Sequence, residues 1–145
     1  MTATTIAVAV VVESGRVLVG VRADDAVDAA GKHEFPGGKR EPGETPAVAA
    51  MRECREETGI DIVVGGVIDV AATTGRSGPL VVVFVAAEPR PDSPPPEPPF
   101  HWLPIASLDA AAFPPANARV IELLRTGFSR VGATADGWND AQGGS

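Results

Sequence analysis

The chain of 145 residues contains no tyrosine, and aromatic residues make up only 5% of it. A site that stacks a planar ligand must draw on a handful of rings: Phe35, Phe84, Phe100, Phe113 and Trp102. Cys54 is the one cysteine, which excludes an internal disulfide framework and a cysteine-based zinc site. Lysine and arginine number 12 against 19 acidic residues, for a formal net charge of −7. That balance argues against a nucleic-acid polymer or an anionic membrane as partner, since both require a cationic face. The longest uninterrupted apolar runs, Ile6–Val12 and Leu80–Ala87, fall far short of the ~20 residues that cross a bilayer. The first five residues, MTATT, lack the basic stretch that opens a secretory signal, and the expected compartment is the cytoplasm.

What is present is enough for one compact domain, with 44% apolar residues to build a core. Thr4–Val12 is β-branched and apolar throughout and reads as a strand buried on both faces. Glu13-Ser14-Gly15 turns the chain into a return strand, Arg16–Val21. Arg22–Lys32 reads as a loop and His33–Phe35 as a short strand, stopped by Pro36-Gly37-Gly38. Two longer strands follow at Ile60–Ala72 and Pro79–Ala87. Glu88–Pro99 holds seven prolines and is expected to be an extended surface loop. Phe100–Leu103 is a further short strand, and Ala116–Thr126 carries the apolar stripe of a second helix. The pattern predicts an α/β (α+β) domain over residues 1–126, a mixed sheet with helices on both sides, and a loosely packed or disordered tail over 127–145.

The first helix carries the chemistry. Thr45 caps it, Pro46 opens it and Gly59 stops it after Thr58. At about 100° per residue, Glu53, Glu56 and Glu57 fall within an arc of about 100°. Ala47, Ala50, Met51 and Cys54, with Val48, are expected to form the adjoining packing face. Three neighbouring carboxylates repel one another, and Arg52 and Arg55 relieve only part of that. A hard divalent cation removes the penalty, and Mg²⁺ favours oxygen ligands shared with phosphates. The bare backbone at Gly37-Gly38, next to Lys39, can approach the same ion or a phosphate. An acidic helix face taken alone is more often simply solvated.

The spacing over residues 38–60, GKREPGETPAVAAMRECREETGI, resembles the complete Nudix box: Gly38, Glu44, Arg52-Glu53, Glu56-Glu57, Gly59 and the apolar Cys54 and Ile60. At roughly one in fifteen per fixed residue, a chance match of the seven is of order one in 10⁸ per starting point. The resemblance implies a Nudix fold, a mixed β-sheet sandwiched between helices (α/β/α). It also implies Mg²⁺- or Mn²⁺-dependent hydrolysis of a nucleoside diphosphate linked to another group. It assigns metal binding to Glu53, Glu56, Glu57 and the Gly37 carbonyl, and the general base to Glu53, with Glu44 as the second choice. Arg52 is assigned to orienting a carboxylate of the box. Glu97 stands near the place of an additional metal-contacting glutamate.

HEFPGGK (33–39) and FPPAN (113–117) are similar to segments of the MutT-type members of that family, which act on 8-oxo-dGTP. The similarity implies that Asn117 reads the purine edge with its amide, a donor and an acceptor in one group. It places Arg22, Glu34, Phe35, Gly38 and Lys39 among the substrate-binding residues. A bland alternative for Asn117 is the first turn of a helix entered through Pro114-Pro115. Trp102 and Phe100 are expected to pack the sheet edge, His33 and His101 to be structural, and Cys54 to be a small buried hydrophobe. The expected reaction yields a nucleoside monophosphate and pyrophosphate, clearing oxidised guanine nucleotides such as 8-oxo-dGTP. CTP or another pyrimidine triphosphate, ADP-ribose, a dinucleoside polyphosphate, or a non-catalytic nucleotide-binding role are the alternatives. Monomer and homodimer are equally compatible with the sequence.

Overall fold

The structure, a computed structural model, describes residues 3–21 and 32–127. The expected loop at Arg22–Lys32, apart from Lys32, and the expected tail beyond Gly127 lie outside them. Seven strands form one mixed sheet: β1 (Thr4–Glu13), β2 (Arg16–Val21), β3 (His33–Glu34), β4 (Gly37–Lys39), β5 (Ile62–Gly75), β6 (Gly78–Pro89) and β7 (His101–Pro104). The main path runs β3-β2-β1-β6-β5, with β4 paired to β1 and β7 to β2. β1 is central. It runs parallel to β6 from Thr4↔Leu80 to Val11↔Ala87 and antiparallel to β4 and β2.

Because both faces of β1 are covered, its sequence need not alternate, which explains the unbroken apolar run. Ala7, Ala9 and Val11 face α1 (Pro46–Thr58), together with Leu18, Val85 and Ile60. Val8, Val10 and Val12 face the opposite side, where Phe84 and Phe113 pack with Val120, Ile121 and Leu124 of α2 (Ala118–Arg125). Three single turns of 3-10 helix, Ile105–Ser107, Ala110–Ala112 and Pro115–Asn117, lead into α2. The sheet therefore lies between helical layers, as the sequence predicts.

One expectation is overturned. β3 stops before Pro36 as expected, but the glycines that follow are not a loop: Gly37–Lys39 is itself a strand, paired Ile6↔Lys39, Ala7↔Gly38 and Val8↔Gly37. Flanking bonds from Ala9 N to the Pro36 carbonyl and from Arg40 N to the Thr5 carbonyl, both 2.9 Å, extend the ladder. Glycine is read as a strand breaker because it lacks a side chain to pack. Here that lack is the requirement. A Cβ on Gly37 would overlap the Ala7 carbonyl and stand 2.9 Å from Val8 Cα. The prolines beyond Pro89 lie in a surface segment without regular structure, as expected.

Candidate active site

Local chemistry sets α1 in place. The Thr45 hydroxyl accepts from Val48 N at 3.1 Å, and Pro46 occupies the first turn. At the other end Gly59 adopts a left-handed φ of 79°, its N–H donating to the Arg55 carbonyl at 3.0 Å. Inside, Ala49, Ala50, Cys54 and Thr58 are buried, while Val48 and Met51 are 48% and 37% exposed. The expected packing face is therefore corrected: the helix is rolled so that its small residues, not its larger apolar ones, meet the sheet. Ala49 on one side and Ala50 and Cys54 on the other flank Glu53 and Glu57, which point inward toward β4 instead of outward to solvent. Cys54 is buried as expected, its thiol pushed up to about 11 by desolvation.

The glutamates meet the glycine strand directly. Gly37 N donates to Glu57 Oε1 at 3.1 Å. The Glu53 carboxylate lies where a side chain on Gly38 would begin. Burial raises Glu57 to about 7, and the negative charges of Glu53, Glu34 and Glu56 add to the rise against the Gly37 hydrogen bond. Glu44 behaves oppositely. It accepts from Arg52 Nε at 2.6 Å and Nη2 at 2.9 Å, and from Glu41 N at 2.8 Å, and is held down to about 2 by these bonds. Arg52 also donates to Glu53 Oε2 and Glu56 Oε1, both at 3.3 Å, and to the Lys39 carbonyl at 3.1 Å. One guanidinium thus ties the Glu44 loop, the end of β4 and two carboxylates together. Glu56 is the most exposed of the group, and the Lys39 side chain points to solvent. Glu97 is not among them: its backbone N–H donates to the Thr58 carbonyl at 2.9 Å and its carboxylate covers Gly59.

Next to the carboxylates opens a cleft of about 830 Å³. Its floor is Ile6, Val8, Leu80 and Val82, its carboxylate end is Gly37 and Gly38, and its far wall is the segment 110–117. Glu34 and Phe35 line it. Phe35 is otherwise core, its ring 5.0 Å from that of Phe113. Asn117 is 9% exposed and stands at the N-cap position of α2, yet its side chain makes no capping bond. Its backbone N–H donates to the Pro114 carbonyl at 2.9 Å, and the residue lines the cleft. Phe100 and Trp102 pack the β7 side of the sheet, and Arg16 lies 5.5 Å over the Trp102 ring. His33 packs against Phe113 at 5.5 Å.

The sequence matches the NUDIX domain family over residues 1–124. The chain belongs to the Nudix hydrolase family. It is 35% identical over 115 residues, 78% of this chain and 88% of the relative, to an 8-oxo-dGTP diphosphatase of Escherichia coli K12. It is 44% identical over 57 residues, 39% of this chain and 42% of the relative, to a CTP pyrophosphohydrolase of the same organism. Its fold is also that of a MutT protein from Methanosarcina mazei Go1, with a TM-score of 0.67 at 21% identity over 86% of this chain and 94% of the other.

Within this Nudix domain the structure brings Glu44, Arg52, Glu53, Glu56 and Glu57 together beside Gly37 and Gly38, and the two glycines and Asn117 line the cleft. Arg22 lies outside the described residues. The donor set suits a hard divalent cation: carboxylate oxygens beside a glycine backbone, with Glu57 driven toward neutrality when no cation opposes its neighbours. Among the described residues no three acidic, histidine or cysteine side chains close into a finished cage. Mg²⁺ is commonly bound by one or two carboxylates together with water and substrate phosphates, so an open array fits it. Lys32, Thr73 and Thr74 also line the cleft. No motif singles them out, because they reach it from the residue before β3 and from the C-terminal end of β5.

Proposed function

We propose that this Nudix hydrolase converts nucleoside triphosphates to the monophosphate and pyrophosphate with Mg²⁺ or Mn²⁺, and that its preferred substrates are oxidised guanine nucleotides such as 8-oxo-dGTP. The observation that carries the base assignment is Asn117: a buried side chain in the 3-10 turn that enters α2, without a capping bond, in the lining of the cleft. A capping asparagine would spend its oxygen on the helix N–H groups. This one keeps a donor and an acceptor for a purine edge with adjacent keto oxygen and N–H. The 35% identity to an 8-oxo-dGTP diphosphatase supports the same reading.

Glu53, Glu56, Glu57 and the Gly37 backbone would hold the divalent ion, which neutralises phosphate charge and acidifies a bound water. Glu53 accepts the proton of the attacking water, and Arg52 holds its carboxylate by a bond to Oε2. Glu44 stays ionised and anchors Arg52 by two bonds, which makes it a positioning residue in place of the alternative base. The floor of Ile6, Val8, Leu80 and Val82 keeps the base dry, so each polar contact with Asn117 counts for more. A pyrimidine triphosphate is the second reading, favoured by the 44% identity to a CTP pyrophosphohydrolase over 57 residues.

The test is pyrophosphate release from a panel of nucleotides by wild type, Glu53→Gln and Asn117→Ala. Asn117→Ala should lose its preference for 8-oxo-dGTP over dGTP, by ~10-fold or more, while the Mg²⁺ requirement stays. Equal losses on both substrates remove the base assignment, and CTP as the best substrate replaces it with the second reading. Full activity of Glu53→Gln removes the general-base assignment.

A further inference from the structure

The base end of the cleft is bridged. Lys32 Nζ donates to the Ala111 carbonyl at 2.7 Å, a contact between residues 79 apart in sequence, and both residues line the cleft. Among the described residues Lys32 is the one cationic side chain in that lining. It precedes β3, whose Glu34 lies near the carboxylate cluster. Ala111 sits in the 3-10 turn Ala110–Ala112, and the chain runs from there through Phe113 and Pro114-Pro115 to Asn117. The local bonds of this wall are short-range: Ala111 N to Asp109 Oδ1 at 3.1 Å, Ala112 N to the Asp109 carbonyl at 2.9 Å and Asn117 N to the Pro114 carbonyl at 2.9 Å. None of these three reaches the opposite side of the cleft. The buried Phe113 ring, packed on His33 and Phe35, anchors the wall from within the core, and the Lys32 bond links its outer end at Ala111 to the strand that leads to the glycines.

We infer that Lys32 is a specificity-determining positioning residue: by clamping the Ala111 carbonyl it sets the distance between the Asn117 wall and the β3–β4 side, and so fixes where the base-reading amide stands. The inference rests on the reading of Asn117 given above and extends it to a residue that need not touch the nucleotide. The clamp is one bond from the ammonium to a backbone carbonyl. Its charge-assisted character makes it stronger than a neutral bond at the same place. Loss of the clamp therefore widens the base end without disturbing the carboxylates: substrate binds less well and less selectively, and the bound substrate is cleaved at the normal rate.

The experiment is a double-mutant cycle on the full chain with Lys32→Met and Asn117→Ala, and Lys32→Arg as the conservative variant. KM and kcat are measured for 8-oxo-dGTP and dGTP, with thermal stability in parallel. Lys32→Met should raise KM for 8-oxo-dGTP about 3- to 10-fold and reduce the preference over dGTP by a similar factor, with kcat within about 2-fold and Tm nearly unchanged. Lys32→Arg should recover most of the loss. In the Asn117→Ala background Lys32→Met should add almost nothing, because the group it positions is gone. Additive effects overturn the inference, since they mean that Lys32 acts independently of Asn117. A KM effect that vanishes at high salt overturns it too, because that is long-range attraction of the triphosphate. So does a lower kcat at constant KM, or no effect at all. If Asn117→Ala itself leaves the preference intact, the failure belongs to the base assignment; if Asn117→Ala abolishes the preference and Lys32→Met spares it, the failure belongs to the clamp alone.

Discussion

The two glycines of β4 are adjacent, yet replacing each by alanine should produce opposite phenotypes. At Gly38 the atoms nearest the added methyl all belong to the Glu53 carboxylate, with Cδ at 2.5 Å and Oε1 at 2.8 Å. Ordinary contact needs about 3.4–4 Å, so the carboxylate must move by roughly 1 Å, and a flexible side chain can do that by rotating. A displacement of about 1 Å in a reacting group costs on the order of 10²-fold in rate. The folded state loses little, because the restricted unfolded chain returns about 0.4–1 kcal/mol. At Gly37 the methyl meets the backbone of β1, the Ala7 carbonyl and Val8 Cα, which cannot rotate away. That substitution should cost several kcal/mol, with ~1 kcal/mol lowering Tm by roughly 3–6 °C in a domain of this size. The assay is kcat/KM by pyrophosphate release with Mg²⁺, beside a calorimetric melt. Gly38→Ala should keep a Tm within a few degrees of wild type and lose about two orders of magnitude of activity, while Gly37→Ala should melt early. A Gly38→Ala enzyme with wild-type kcat/KM would refute the argument, for it would show that the Glu53 carboxylate need not stand on bare backbone.

Two further predictions concern charge. Arg52→Gln removes the group that bonds Glu44, Glu53 and Glu56 together, and should lower activity or Mg²⁺ affinity about 10- to 100-fold, as loss of a supporting partner commonly does. Unchanged Mg²⁺ dependence in an activity titration would contradict it. Glu57 rises from 4.5 to about 7 in the folded, metal-free chain through burial and like charge, so between those pH values the folded state holds a proton that the unfolded state has released. Metal-free stability must therefore fall as pH rises through that window, by about 1–3 kcal/mol, and Mg²⁺ should restore it at the upper end. Glu44 works at the other end: its contribution is present above 4.5 and lost as pH falls toward 2. Melts of metal-free wild type and Glu57→Gln across this range check the claim, and equal pH slopes for the two proteins would contradict it.

The sequence made the helix limits, the two-sided core and the carboxylate trio legible because each follows from local rules. Thr45-Pro46 and Gly59 mark the ends of α1, and the unbroken run in β1 marks a strand covered on both faces. What stayed hidden depends on how close two elements come. The periodicity of α1 gives two readings of its inner face. The larger side chains Val48 and Met51 favour one, and the structure adopts the other, with both of them exposed. The reason lies in the strand that precedes the helix. Gly37 and Gly38 make β4 bare enough for the helix to settle on Ala49, Ala50 and Cys54, and only that close approach brings Glu53 and Glu57 onto the strand. Read as a turn, the two glycines are unrelated to the helix; as a strand, they are the surface against which its carboxylates are set. The same holds for Asn117, whose place as a first-turn residue or as a reader is undecidable from Pro-Pro-Ala-Asn. The structure puts Asn117 in the helical turn that enters α2 and also in the lining of the cleft, and the second fact is a property of the tertiary fold, not of the tetrapeptide. An acidic helix becomes a candidate phosphate-processing site when the strand beneath it has no side chains.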